Sequence, residues 1–141
     1  NTMGEVVGIN TAVINGSNGI GFAININDAK VIVEHLVTNG FVNRGYMGIS
    51  PFEVTDFIRE QLLLPVNSGV VIARVWEGYP ANLAGLKMED VIVKLDEIAV
   101  ETVGGLEKFL IAHGPGETVK VTFYRQGDIQ STEIILGDSP R

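Results

Sequence analysis

The chain has 141 residues, 45% of them hydrophobic and 19% charged, with a net charge of −7. That composition suits one or two small folded domains, and at about this length roughly two-thirds of the unfolded surface can be buried. The acidic balance and the lack of a Lys/Arg run exclude a nucleic-acid partner; the lack of cysteine excludes disulfides and thiolate metal sites; no apolar run nears the ~18 residues of a membrane span.

The first piece, residues 1 to 44, enters a strand almost at once after Asn1-Thr2-Met3-Gly4, as if the chain opened inside a domain. A missing signal peptide then says nothing about where the protein resides. Glu5 to Ile14 is rich in β-branched residues and predicts a strand. Asn15-Gly16-Ser17-Asn18-Gly19 is turn chemistry, and Ile20-Gly21-Phe22-Ala23-Ile24 predicts the return strand of a hairpin. Asn27 or Asp28 is expected to cap a helix, with Ala29, Ile32, Val33, Leu36 and Val37 at helical spacing and Asn39-Gly40 as the stop. Gly16, Gly19 and Gly21 make no dinucleotide loop: their spacing is G-x-x-G-x-G and a strand, not a helix, follows. A hairpin and one helix do not form a stable domain alone. The bare apolar strands at 5–14 and 20–26 are expected to pair with a second copy of the chain or to pack on a neighbour.

Arg44-Gly45-Tyr46-Met47-Gly48-Ile49-Ser50 comes next: a basic residue, a loop with two glycines, then an apolar residue opening a strand. Glycine lets backbone approach a ligand and lets successive N–H groups point one way, forming an anion nest. A nest that runs into a strand edge can hold a peptide's terminal carboxylate while the strand pairs with the residues behind it. Pro51 is expected to interrupt that strand. Thr55 caps a helix from Asp56 to Leu63, which Pro65 stops. Ser68 to Val75 is a strand, Gly78-Tyr79-Pro80 a turn, and Ala81 to Ala84 one helical turn closed by Gly85. Asp90 to Leu95 turns at Asp96-Glu97 into Ile98-Ala99-Val100. Thr102 caps a helix from Val103 to His113, with Leu106, Phe109, Leu110 and His113 on one face. A last hairpin runs Thr118 to Arg125, turns at Gln126-Gly127-Asp128, and returns over Ile129 to Leu136; Gly137 to Arg141 is expected to fray. The fold class is α+β, mainly β with helices. Residues 45–137 form a small, partly open β-sandwich or barrel with two helices, 138–141 a tail, and 1–44 a truncated β-hairpin and helix.

No hydrolytic constellation is expected. Ser17, Ser50, Ser68, Ser131 and Ser139 lack a nucleophile-elbow context. His35 falls on the polar side of its helix and reads as a solvated histidine; His113 sits at a helix end, where a cation suits the dipole. Two histidines without a serine, base and orienting carboxylate in order make no triad. The chain as it stands is therefore expected to have no catalytic residue, metal or cofactor.

Tyr46-Met47-Gly48-Ile49, then Gly69-Val70-Val71-Ile72, then Pro80-Ala81-Asn82-Leu83-Ala84-Gly85-Leu86 with Glu89-Asp90-Val91-Ile92, then Leu106 with Leu110 and Pro115-Gly116, form an ordered set. This set resembles the PDZ domain of HtrA-type (DegP/DegS-like) trypsin-like serine proteases. Residues 4 to 44 resemble the last part of that family's protease barrel, whose Gly-Asn-Ser-Gly-Gly-Pro motif and catalytic His and Asp would lie before residue 1.

The resemblance implies a carboxylate loop at Tyr46, Met47, Gly48 and Ile49, with Arg44 as a helper. It implies a peptide groove bordered by Ser50, Pro51, Leu106, Phe109, Leu110 and His113, and a protease-pocket remnant at Ile20, Gly21 and Phe22. Leu106, Phe109 and Leu110 have a competing use as core. The implied partners are C-terminal peptides of misfolded proteins ending in an apolar residue, added as a β-strand. The implied role is to regulate or feed proteolysis by a full-length serine endopeptidase of the cell envelope, periplasmic or otherwise extracytoplasmic. The alternative is that the module serves oligomer assembly. Pro51 has no N–H, so recognition is expected to be weak and short in reach.

Overall fold

A computed structural model describes residues 1–13, 21–40, 42 and 44–139. The expected turn at Asn15-Gly16-Ser17-Asn18-Gly19, with Ile14 and Ile20 beside it, lies outside the described residues. The chain divides into two compact units, Asn1–Val42 and Asn43–Arg141.

In the first unit, β1 (Gly8–Val13) pairs antiparallel with β2 (Gly21–Asn25), with a register shift between Asn10 and Ala12. Helix α1 (Ile26–Asn39) follows directly. Its cap is Asn25, upstream of the expected Asn27 or Asp28: the extended Asn25 accepts the Asn27 N–H at 2.8 Å, and Ile26 N–H is held by the Val7 carbonyl. Gly40, at φ 77°, closes the helix as expected. The inward stripe is Ile26, Ala29, Ile32 and His35, of which Ala29 is buried and the others half-buried. His35 is thus not the solvated histidine its sequence position suggests, because the helix packs through an i, i+3 row that ends on it; its Nδ1 is buried without a partner among the described residues. Val37 (82% exposed), Leu36 and Val33 on α1, and Phe22 and Ile24 on β2, lie open to solvent.

The second unit is an open antiparallel sheet in the order β4–β5–β6–β8–β9, with β7 on the side of β6. The strands are β4 (Ile49–Glu53), β5 (Val70–Val75), β6 (Val91–Leu95), β7 (Ile98–Ala99), β8 (Thr118–Arg125) and β9 (Asp128–Ile135). Three helices accompany them: α2 (Asp56–Gln61), α3 (Pro80–Leu83) and α4 (Val103–Ala112). With α1 this is an α+β fold, and the sheet does not close into a barrel. Strand β8 shows why the sheet forms: Val119, Val121 and Phe123 alternate inward and are buried, while Lys120 faces out. Each such side chain contributes roughly 1.5–3 kcal/mol when fully buried. They meet Leu106 and Phe109 of α4, Ile72 and Ile92 in one core.

Local chemistry sets the ends. Thr55 Oγ1 accepts the Ile58 N–H at 3.3 Å and Thr102 Oγ1 the Gly105 N–H at 3.0 Å, so both expected caps form. Helix α2 stops short of the expected Leu63, which has left the helical region at φ 49°. The β8–β9 turn is two residues, Gln126 and Gly127, both at positive φ; Asp128 already pairs with Arg125.

Two expectations are corrected. Pro51 does not interrupt its strand: β4 runs through it, and β4 lies at the end of the strand order, where a missing donor breaks no ladder bond. The tail does not fray at once either. Gly137–Asp138 forms β10 and pairs with β3 (Gly45–Tyr46), with Gly137 close against Pro80.

One buried charge clamps this unit. Asp90, 1% exposed, accepts from Arg125 Nε (2.7 Å) and Nη2 (2.6 Å) and from the Lys87 N–H (2.7 Å). Arg125 also donates to the Gly85 carbonyl, and the bond to Asp90 pushes the guanidinium above its ordinary value against the cost of desolvation. Asp90→Ala should cost about 3 kcal/mol, since it strands the partner of a buried pair. Urea unfolding checks this: the midpoint falls with the slope unchanged, whereas Lys94→Ala at the exposed Glu97 pair barely moves it.

Candidate functional site

The loop between β3 and β4 is held from inside. The Met47 carbonyl accepts the Ala81 N–H of α3 at 2.8 Å, and the Gly48 carbonyl accepts the Trp76 N–H at 2.9 Å. Met47 itself is 1% exposed and anchors the loop in the core. Gly48 sits at φ +77°, and a Cβ there would lie 2.2 Å from Tyr79 Cβ. Glycine is required on both counts, and a glycine in this conformation lets neighbouring N–H groups turn to one side. The Tyr79 ring also packs edge-on against Tyr46, centroids 5.4 Å apart.

The strand after the loop has an open edge, and its hydrogen-bond phase can be read. Trp76 N–H bonds the Gly48 carbonyl and Val54 N–H bonds the Gly69 carbonyl. In the register Ile49↔Val75 and Glu53↔Val70, these flanking bonds make both pairs non-hydrogen-bonded. The peptide groups of Ile49 and Glu53 therefore point away from β5, to the free side. The register shift between Ser50 and Pro51 is taken up on β5, which has one residue more than β4 across it. Pro51 keeps the phase of Ile49, so the open edge offers its carbonyl and no donor.

Helix α4 forms the opposite wall and is bonded at both ends. At its C-terminal end the His113 carbonyl accepts the Gly45 N–H at 2.7 Å. At its N-terminal end Glu53 Oε1 accepts the Val103 N–H at 3.2 Å, fifty residues away in sequence. Between these ties lies a cavity of about 130 Å³ lined by Arg44, Tyr46, Met47, Gly48, Ile49, Pro51, Leu106, Glu107 and Leu110. A larger apolar cavity of about 370 Å³ lies between α2 and β5, but β5 is an interior strand and offers no open backbone there.

The remaining residues singled out in the sequence fall elsewhere. Phe109, 5% exposed, belongs to the core, not to the cavity. His113 stacks on Phe109, with centroids 3.8 Å apart, and its Nδ1 donates to the Phe109 carbonyl at 2.8 Å. It thus caps a carbonyl of the last helical turn. Ser50 points off the groove, in register with Arg74. Arg44 lines the cavity and reaches Ser139 Oγ at 3.4 Å. Gly21 and Phe22 open β2 in the first unit, and Ile20 lies outside the described residues. Glu107 and Glu53 were not singled out. Glu107 could have been found as the residue one turn from Val103 and Leu110; the long-range bond of Glu53 has no local signal.

Residues 45–136 match the PDZ domain family. The chain belongs to that family. Its PDZ domain is of the kind found in HtrA-type serine proteases. The chain is 36% identical to a probable periplasmic serine endoprotease, DegP-like, of Rhizobium meliloti, covering 99% of this chain and 28% of the relative. It is 38% identical to a serine protease Do-like HtrA of Lactococcus lactis, over 99% of this chain and 37% of the relative. Among solved structures it is similar to the HtrA-type protease AlgW with decapeptide (TM-score 0.81, 29% identity, 98% of this chain and 43% of that one). A serine endoprotease from Yersinia pestis matches with a TM-score of 0.69 at 28% identity, over 99% of this chain and 46% of that one. The chain thus spans about a third of the curated relatives' length.

Gly48 and Gly85 separate strain from contact, for both have φ near +78° and only Gly48 faces a side chain. Gly85→Ala should cost about 1 kcal/mol of left-handed strain, and Gly48→Ala clearly more, because Tyr79 must also move. Thermal unfolding of the two variants checks the order.

Proposed function

We propose that the groove between β4 and α4 binds extended peptides by their C-terminal carboxylate and adds them to β4 as an antiparallel strand. The observation that carries this is the open edge of β4 starting at a loop whose carbonyls are both turned inward. The carboxylate takes the N–H groups of Met47, Gly48 and Ile49, with Arg44 close by. The last side chain enters the space between Tyr46, Met47, Ile49, Leu106 and Leu110, which is apolar and selects an apolar residue. The HtrA-type AlgW structures with a decapeptide and a tripeptide support peptide binding in a similar fold.

In the full-length protein, the relatives' names support a serine endopeptidase of the cell envelope. There the PDZ domain recognises exposed C-termini of misfolded substrates and regulates or feeds proteolysis. The test is a titration with a free-acid peptide and its C-terminal amide. Amidation removes charge-assisted bonds worth about 2 kcal/mol and should weaken binding roughly thirtyfold. Equal affinity would sink the reading. Upstream extension past the third residue should gain less than about fivefold, since Pro51 withholds one ladder bond.

The first unit favours a second role, in assembly. Phe22 and Ile24 on its two-stranded sheet are 55% and 45% exposed, as are several α1 residues in similar measure. Such surface seeks strand partners or a packing face, in this protein's other parts or in a second copy. Sedimentation velocity should show concentration-dependent association that Phe22→Lys with Ile24→Lys reduces; a monomer at every concentration would remove this role.

A further inference from the structure

We infer that the second unit self-associates edge to edge: β9 of one copy pairs antiparallel with β9 of another, about a two-fold axis at Thr132. β9 closes the strand order, so one of its sides has no neighbour in the sheet. This edge is separate from the groove, which lies at β4, the opposite end of the same order. It is separate too from the apolar strands of the first unit.

The hydrogen-bond phase of β9 follows from its hairpin. The two-residue turn makes Arg125↔Asp128 a hydrogen-bonded pair, and bonded and non-bonded pairs then alternate along the register. The far end fits this phase, for Leu136 N–H bonds the Glu117 carbonyl. So does the other side of β8, where the Lys120 carbonyl turns away from β9 to accept Asp96 N–H. The peptide groups of Asp128, Gln130, Thr132 and Ile134 therefore face β8, and those of Ile129, Ser131, Glu133 and Ile135 face outward. Among the described residues none of these outward groups has a backbone partner, and all four of these residues are exposed. The edge is also poorly guarded. Its register runs without a bulge, it has no proline, and past Asp128 its one charge is Glu133.

The partner is a second copy because the edge complements itself. When outward groups pair antiparallel about Thr132, Ile129 meets Ile135 of the other copy and Ser131 meets its Glu133, each contact occurring twice by symmetry. Every outward group is then bonded and no like charges meet. A register centred on Glu133 instead sets two carboxylates face to face, and one centred on Ser131 leaves Ile135 without a partner. Ile129 and Ile135, 62% and 64% exposed, cover each other only in the first register. Helix α3 flanks the axis: Thr132 Oγ1 donates to the Ala84 carbonyl at 3.0 Å, and the adjoining Leu83, 78% exposed, adds apolar surface there.

The test uses the whole chain carrying Phe22→Lys and Ile24→Lys, so that association through the first unit is already reduced. The chain has no cysteine, so Ser131→Cys and Glu133→Cys, made singly, each introduce one thiol. In the register about Thr132 these two positions face each other at about 5.5 Å between Cα atoms, within disulfide reach, while like positions lie on a diagonal of roughly 7–8 Å. Under mild oxidation a mixture of the two variants should form the mixed disulfide several-fold faster than either variant forms a disulfide with itself. Ser131→Pro, without cysteines, removes an outward N–H and no bond to β8. Its thermal unfolding should stay near that of the parent, while sedimentation shows the dimer dissociation constant raised roughly thirtyfold for the pair of bonds lost. Mixed and self disulfides forming at equal rates would overturn the inference. A parent that is monomeric at every concentration would do the same, leaving the groove and the first unit's role untouched.

Discussion

Gly48 lies flat against the Tyr79 side chain, with no space for one more carbon between them. That contact, with the bonds to the Met47 and Gly48 carbonyls, fixes where β4 begins and which way its peptide groups face. Tyr79 precedes Pro80, whose fixed φ starts α3, and Ala81 N–H of α3 holds the loop. The far side of α3 is anchored in turn: Arg125 holds the Gly85 carbonyl and Thr132 Oγ1 holds that of Ala84. The loop's geometry therefore depends on the buried Asp90, a residue distant in sequence, through the guanidinium it orients.

The groove's width is set separately, by the two ends of α4. Glu53 satisfies an N–H that the first helical turn leaves without an intrahelical partner, and the Gly45 N–H satisfies a carbonyl beyond the last. Gly45 can do so because it has no Cβ; one would sit 2.8 Å from that carbonyl and 2.5 Å from Leu136 Cδ1. Strand β10 then covers the other side of β3. A groove bonded at both ends is held in one shape before any ligand arrives, which is what preorganisation means physically.

The two units differ in how they meet their hydrophobic surface. The second unit folds its apolar stripes against one another, so Val70, Ile92, Leu95 and Val121 are fully buried. The first has a two-stranded sheet and one helix, too few layers to cover both faces, and its β-branched and aromatic residues stay exposed. One composition thus yields a unit with a buried core and a unit whose apolar residues stay largely exposed.

Local sequence determined most of the elements. Caps at Thr55 and Thr102, the stop at Gly40, the proline start of α3 and the alternation of β8 all act within a few residues, so their physics is present in the order of the chain. The loop at residues 46–49 was legible for the same reason: a glycine beside a strand start marks where backbone can take a positive φ and come close to a neighbour. What the chain order could not show depends on partners brought from a distance. Pro51 by itself predicts a broken strand, yet at a sheet edge its missing donor breaks nothing, and only the strand order shows that β4 is an edge. Phe109 and Leu110 are neighbours on one helical face; which turns into the core and which into the cavity was decided by how α4 is pinned. The tail gained a strand because β3 offered it a place. Local propensities can write a helix or a turn, but whether a residue meets solvent, ligand or core is settled by which surfaces the fold brings together.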